Sequence, residues 1–418
     1  MKNLSAPLEK STLIPVKPLL LNRWAKTLLL RQLERLQRGE IILHDGETLR
    51  FGKPHPDFAE PVHLHIDGEE FFADTVFGGS IGAAEAYMAG FWRCSNLVDL
   101  VRLLLRNRHV LDGMDGGRFA WASQNLRRLI HAFHRNTRQG SRRNITAHYD
   151  LGNDFFKLFL DETMMYSCAY FERPEASLHE ASVAKLDRIC RMLKLSPDDH
   201  VIEIGSGWGG FALHAAARYG CRVTTTTISR QQFDLAQERI HAAGLQDRIT
   251  LLLHDYRDLG GTYDRLVSIE MVEAVGHQYY DAYFAQCARL LKPDGLGLIQ
   301  AITITDQQFN QARDEVDFIK RYIFPGSCIP AITPLLESAT RASDLKLIYL
   351  EDIGPHYAVT LRLWRQAFMS QLEAVRQQGH SEAFIKMWEF YLAYCEGGYL
   401  ERAIGDVHLL FAKPRYRA

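Results

Sequence analysis

The chain has 418 residues, 47% hydrophobic and 24% charged, enough for two or three domains around sizeable cores. A formal net charge of −1 excludes a global pull toward nucleic acid or anionic lipid, so electrostatic targeting has to be local. The seven cysteines (Cys94, Cys168, Cys190, Cys221, Cys287, Cys328 and Cys395) are scattered, odd in number and without a C-x-x-C pair. That usage argues against a disulfide framework or a metal site and for a reducing cytosol.

Near the N-terminus, Leu13 to Leu21 is apolar, but Pro15, Lys17 and Pro18 interrupt it, which argues against a signal peptide. No apolar run reaches the length of a membrane span. Strand-like segments follow at Ile41 to His44, at the alternating Val62, Leu64 and Ile66, and at Phe71 to Val76. They are set off by the turn pairs Asp45-Gly46, Asp67-Gly68 and Gly78-Gly79. Helical spacing then covers Ile81 to Phe91 and Leu97 to Arg106, so residues 1–125 read as a small α+β module.

Between Arg102 and Arg143 stand ten arginines against two acids, Asp112 and Asp115. Residues 126–146 within this stretch read as a basic linker with two interpretations. One is a solvated helix face; the other is a surface for anionic headgroups, where each well-placed Arg contributes about 1 kcal/mol. No nucleic-acid-reading module accompanies the charge, so nucleic acid is not the expected partner.

From His200 onward strands alternate with helices. Apolar strands are predicted at Val201 to Ile204, Arg222 to Ile228, Ile249 to Leu253, Leu266 to Ile269 and Leu296 to Ile302. Helices are predicted near Gly210 to Tyr219, Arg230 to Ala243 and Tyr279 to Leu291. Two late strands, Lys346 to Leu350 and Val407 to Ala412, flank helical patterns in residues 356–396. Short buried strands separated by helices imply an α/β fold with a doubly wound, mostly parallel sheet.

The segment Val201-Ile-Glu-Ile-Gly-Ser-Gly-Trp-Gly-Gly210 runs from a strand through Gly205-x-Gly207-x-Gly209 into a helix. Glycines there let the backbone lie against a ligand. A dinucleotide site would read G-x-G-x-x-G with pyrophosphate on the helix N-terminus. Here Glu203 stands two residues before the first glycine; it would repel pyrophosphate but suits a cation that carries an amino group and a sulfonium. Thr227-Ile228-Ser229-x-x-Gln232 supplies hydroxyl and amide groups where a ribose would lie. Asp255-Tyr256 could bracket an adenine, although Asp255 equally suits a helix cap or turn. The three loops follow consecutive strands at the carboxyl edge, where open α/β sheets bind ligands.

Together with other motifs, this loop resembles the cyclopropane-fatty-acyl-phospholipid synthase family, which includes the mycolic acid cyclopropane synthases. The motifs are Ala147-His-Tyr-Asp-Leu-Gly-Asn153, Met165-Tyr-Ser-Cys-Ala-Tyr170, the 201–210 loop, Thr227-Ile-Ser229, Met271-Val-Glu-Ala-Val-Gly276, Arg321-Tyr-Ile-Phe-Pro-Gly326 and His356-Tyr-Ala-x-Thr-Leu361. The similarity covers about residues 40 to 415. It implies a Rossmann-like class I methyltransferase domain over 147–418, with residues 1–125 as a lipid-engaging module. The implied activity is methyl transfer from S-adenosylmethionine to a cis alkene carbon of a phospholipid acyl chain, with ring closure assisted by bound bicarbonate. Implied donor-binding residues are Tyr149, Tyr166, Ser167, Glu203, Gly205, Ser206, Gly207, Thr227, Gln232, Asp255 and Tyr256.

The family's bicarbonate site, carried over by motif, falls on the Cys168 and Ile302 backbones and on Glu273 and Tyr357. Its histidine position falls on Gln300, which can hydrogen-bond but cannot pass on a proton. The residue after the Glu, often His in the family, is Ala274. Those departures keep a methyl- or methylene-branching product open beside the cyclopropane. A small-molecule methyltransferase and a lipid-binding protein without turnover are further alternatives. The apolar, aromatic segment 318–329, with Lys320 and Arg321, would suit an acyl-chain wall with a headgroup end, or core packing. The resemblance also carries the expectation of a homodimer, and of a cytoplasmic protein held peripherally on the inner face of the membrane.

Overall fold

The computed structural model describes residues 19–108 and 151–417. The chain divides into two compact units, Met1–Ser123 and Gln124–Ala418. The basic linker expected over 126–146 lies outside the described residues.

In the first unit, α1 (Leu19–Leu33) precedes β1 (Gly39–Asp45) and β2 (Glu47–Lys53), an antiparallel hairpin that turns at Gly46, where φ is 68°. Strand β3 (Val62–Ile66) pairs parallel to β1, and β4 (Trp92–Cys94) antiparallel to β3, giving the order β2-β1-β3-β4. The strand predicted at Phe71 to Val76 is instead the start of α2 (Glu70–Ala89). Phe71, Phe72 and Ala73 are all buried, and a short apolar run fits a buried helix as well as a strand. Gly79 kinks that helix (φ 57°, ψ −145°) where a turn between elements was predicted. Helix α3 (Leu97–Arg106) starts at Asn96, whose side chain accepts the Asp99 N–H at 3.1 Å.

The second unit opens with a helical turn, α4 (Asn153–Phe156), and α5 (Leu178–Met192). The α5 start is a capping box in which Ser177 and Glu180 each bond the other's backbone N–H. Strands and helices then alternate: β5 (His200–Ile204), α6 (Gly210–Tyr219), β6 (Arg222–Thr226), α7 (Arg230–Ala242), β7 (Ile249–Leu252), β8 (Tyr263–Ile269), α8 (Tyr280–Leu290) and β9 (Leu291–Ile304). After α9 (Asp306–Asp314) and α10 (Ile332–Ala342) come β10 (Lys346–Asp352), α11 (Gly354–Ser370), α12 (Leu372–Gln377), α13 (Glu382–Leu400) and β11 (Ile404–Ala412).

The seven-stranded sheet has the order β10-β11-β9-β8-β5-β6-β7. Strands β5 to β9 are parallel, and β11 pairs antiparallel with both β9 and β10. Alternation along the strands divides the core: Val201, Val223, Val267 and Leu298 pack with α5, α6 and α7. Ile202, Leu266, Ile299 and Leu409 pack with α8 and α10 on the other face. The winding reverses between β5 and β8, so the crevice outside their carboxyl ends is the place for a ligand.

Candidate active site

Gly205, Gly207 and Gly209 all take positive φ (96°, 48° and 84°), which is how the chain turns from β5 into α6 without a Cβ clash. Space behind the turn is short: a Cβ on Gly210 would stand 2.6 Å from Met165 Sδ and 2.7 Å from the Thr163 carbonyl oxygen. In front it is open, since a Cβ on Gly207 would meet nothing within 4 Å. The N–H groups of Gly205 and Ser206 donate to the Thr226 carbonyl at 3.1 and 2.8 Å, tying the loop to β6. Glu203 lies opposite Thr225 in the sheet, and that hydroxyl donates to it at 2.6 Å. Burial pushes the Glu203 carboxyl up to about 8, while Thr225 and the Lys185 charge pull it down.

After β6, Thr227 Oγ1 donates to Gln232 Oε1 at 2.8 Å, and Ser229 caps α7 by accepting from the Gln232 N–H. After β7, Asp255 caps a one-turn helix (Tyr256–Asp258) and pairs with Arg257 at 2.6 Å. Asp255 thus has the turn-and-cap role that its position suited. The Tyr256 ring packs edge-on against Tyr283 at 5.7 Å. Tyr166 shares a hydrogen bond with Tyr391 at 2.9 Å, and its ring lies 5.3 Å from Trp364 and 6.4 Å from Phe324. Ser167 Oγ accepts from the buried Lys185 at 2.7 Å. Tyr149 lies outside the described residues. The glycine cradle, open on its Gly207 side and bordered by an acid, fits S-adenosylmethionine, which supplies an electrophilic methyl on a sulfonium.

Beside this edge, where β8 ends, stands a carboxylate that the motifs do not contain. Glu270 Oε1 accepts the Cys168 N–H at 2.7 Å and the Gln300 amide at 2.8 Å, and Oε2 accepts the Tyr357 hydroxyl at 2.8 Å. The Gln300 amide also donates to Asp406 Oδ2 at 2.8 Å, and Gln300 Oε1 faces His408 Nε2 at 3.2 Å. Burial and the nearby Lys185 hold the His408 pKa down to about 3, so the ring is neutral and donates its Nε2–H, which fixes the amide orientation.

Three predicted residues, Cys168, Gln300 and Tyr357, thus meet around Glu270. The other two meet each other, with the Ile302 N–H donating to Glu273 Oε1 at 2.5 Å. Burial, then the Glu270 charge, pushes Glu273 up to about 8, and its Oε2 has no partner among the described residues. Cys168 takes part through its backbone, its thiol pushed well up by burial. Lys320, expected near a headgroup, is instead buried, with its ammonium donating to backbone carbonyls of Ala312 and Glu315.

The bicarbonate that the resemblance implied does not fit these residues. Its expected donors, the Cys168 and Ile302 N–H groups, the Gln300 amide and the Tyr357 hydroxyl, are all spent on carboxylates of the chain itself. A further anion would stand beside the Glu270 carboxylate, against like charge.

A doubly wound sheet carrying a donor cradle at its switch point defines a class I, S-adenosylmethionine-dependent methyltransferase. Residues 136–409 match the mycolic acid cyclopropane synthetase family, and the chain belongs to it. It is 38% identical to the tuberculostearic acid methyltransferase of Mycobacterium tuberculosis over 77% of this chain and 76% of that one. It is 36% identical to the cyclopropane-fatty-acyl-phospholipid synthase of Escherichia coli, over 84% and 88%. Among solved structures, a mycolic acid cyclopropane synthase complexed with SAH and CTAB superposes with a TM-score of 0.61 at 32% identity, over 65% of this chain and 98% of that one.

Proposed function

We propose that the protein transfers a methyl group from S-adenosylmethionine to a cis alkene carbon in an acyl chain of membrane phospholipid and closes a cyclopropane ring. The observation that carries this reading is a carboxylate held by three donors beside aromatic faces. Tyr357, which bonds Glu270, stacks on Tyr399 at 4.5 Å and meets Trp364 edge-on at 6.0 Å. An alkene is a weak nucleophile, and methylating it leaves positive charge on the neighbouring carbon. Fixed anionic and π surfaces stabilise that charge without reorganising. Holding methyl and alkene in line supplies much of the remaining rate gain. The names of the two relatives support acyl chemistry. Gln300, where the family has histidine, favours a second reading in which a neighbouring carbon loses the proton and a branch results.

Incubating the protein with labelled donor and vesicles of cis-monounsaturated phosphatidylglycerol and phosphatidylethanolamine tests both. Gas chromatography of the released fatty acids is expected to show cyclopropanes; methylene or methyl branches would select the second reading. Absence of label from every phospholipid would defeat both. Membrane contact through the arginine-rich stretch is part of the proposal, since ten arginines against two acids suit anionic headgroups. Replacing Arg127, Arg128, Arg142 and Arg143 with Gln should weaken vesicle binding more at low salt than at high salt. Equal loss at both salts would remove the electrostatic argument.

A further inference from the structure

We propose that Glu270 supplies, from the chain itself, the anionic base that the family resemblance assigned to bicarbonate, so that this enzyme works without it. The inference rests on the proposed alkene methylation and names the group that removes the proton.

Geometry carries it. The donors expected around an exogenous anion converge on one side-chain carboxylate, with distances of 2.7 to 2.8 Å to Cys168, Gln300 and Tyr357. Oε1 has both lone pairs engaged by Cys168 and Gln300, while Oε2, bonded by Tyr357, keeps a second one for a proton. The backbone points the same way. Glu270 sits at φ 46°, a left-handed conformation that glycine adopts freely and that strains other residues. A strained non-glycine residue held by three hydrogen bonds is the signature of a side chain kept for its function.

Gln300 cannot take up a proton, and the nearby Asp406 is already occupied. Burial, together with the Glu270 charge, raises Asp406 well above the usual carboxylate range, and its Oδ1 has no partner among the described residues. Burial raises Glu270 too, but the Cys168 N–H, the Lys185 charge and the Tyr357 hydroxyl counter that rise. Three donors face Glu270 and one faces Asp406, so the charge of the pair is better held on Glu270 and the proton on Asp406.

The step balances on these groups. The alkene π pair forms the new C–C bond as the S–CH3 pair stays on sulfur, leaving the neighbouring carbon cationic. A Glu270 oxygen takes one proton from the new methyl group, and the released C–H pair closes the ring onto that carbon. One sulfonium charge and one carboxylate charge disappear together, and the proton then passes to water.

The test uses the full-length protein, the vesicles above and carbon-13-labelled bicarbonate followed by NMR. Wild type should turn over equally in bicarbonate-free and bicarbonate-containing buffer and should not bind the label. Glu270→Gln should lower kcat by about 10³-fold, the scale of losing a general base, with donor affinity by calorimetry unchanged. Glu270→Gly, which relieves the backbone strain and empties the site, should bind labelled bicarbonate and regain turnover saturably as bicarbonate is added. A wild type that needs bicarbonate, or a Glu270→Gln variant at the wild-type rate, overturns the proposal. Label binding to wild type, or to neither protein, also overturns it. Should wild type methylate no vesicle, the functional reading fails, while the label still decides which anion fills the site.

Discussion

Two parts of one sheet edge are built in opposite ways. The donor-side loops after β6 and β7 are held by short-range bonds: Thr227 to Gln232 spans five residues, and Arg257 to Asp255 two. The carboxylate side joins Glu270 to Cys168, 102 residues away, and to Tyr357, 87 away, while Gln300 reaches Asp406 across 106. A ligand-binding loop can be assembled from neighbours because the strand end already presents its backbone. A buried charge needs several donors aimed at one point, and no single turn of chain offers them. Donor binding and turnover should therefore separate under mutation.

The widest separation is expected at Tyr357. Tyr357→Phe keeps the ring between Tyr399 and Trp364 but removes one of three bonds to Glu270. Loss of one such preorganised donor costs about 10²-fold in kcat, here with unchanged affinity for S-adenosylmethionine. Steady-state kinetics beside calorimetry checks this, and a parallel fall in both quantities would merge the two parts into one.

The same contrast explains what could be read from the residues. The β5 loop and the parallel strands rest on spacing, and the sheet has them close to where periodicity put them. Glu270 went unread because Ile269-Glu270-Met271 merely ends an apolar strand, and an acid after a strand is ordinarily a turn residue. One signal was present: β11 alternates Asp406 and His408 with apolar residues, and both are fully buried. Polar residues spaced by two in an apolar strand mark a buried polar network. Its partner could not be named without the sheet order that sets His408 opposite Gln300. Phe71 to Val76 failed for a different reason, since local apolarity does not distinguish a buried helix from a strand.

A smaller effect should mark the donor side. Gly210→Ala places a Cβ 2.7 Å from a backbone oxygen, which cannot rotate away, and 2.6 Å from Met165 Sδ, which can. Overpacking of this kind costs about 2 kcal/mol, read as a lower urea midpoint. The shifted loop should also bind S-adenosylmethionine less tightly, while kcat at saturating donor stays near wild type. Gly207→Ala makes the counterpart: its Cβ meets nothing within 4 Å, but its φ of 48° strains an L side chain by about 1 kcal/mol, so donor loss is expected with the smaller loss of stability. Equal stability loss in the two variants would show that the space behind the loop is not what constrains it.

The smallest effect concerns Glu203, whose carboxyl burial pushes up to about 8. A raised carboxyl pKa means that the folded protein holds a proton the unfolded chain releases. Glu203 therefore favours the native state at low pH, and that advantage drains away as pH rises from the unfolded value near 4.5 through about 8. Between pH 6.5 and 7.5 wild type should lose on the order of 1 kcal/mol relative to Glu203→Gln, which has nothing to titrate and still accepts from Thr225. Urea titrations at the two pH values measure the difference, and parallel curves would mean that Glu203 is already charged. A cation seated beside this acid would favour its charged form, so binding S-adenosylmethionine at pH 7 should release a proton. Calorimetry in buffers of different ionisation enthalpy detects that release, and its loss in Glu203→Gln would tie the acid of the β5 strand to the donor.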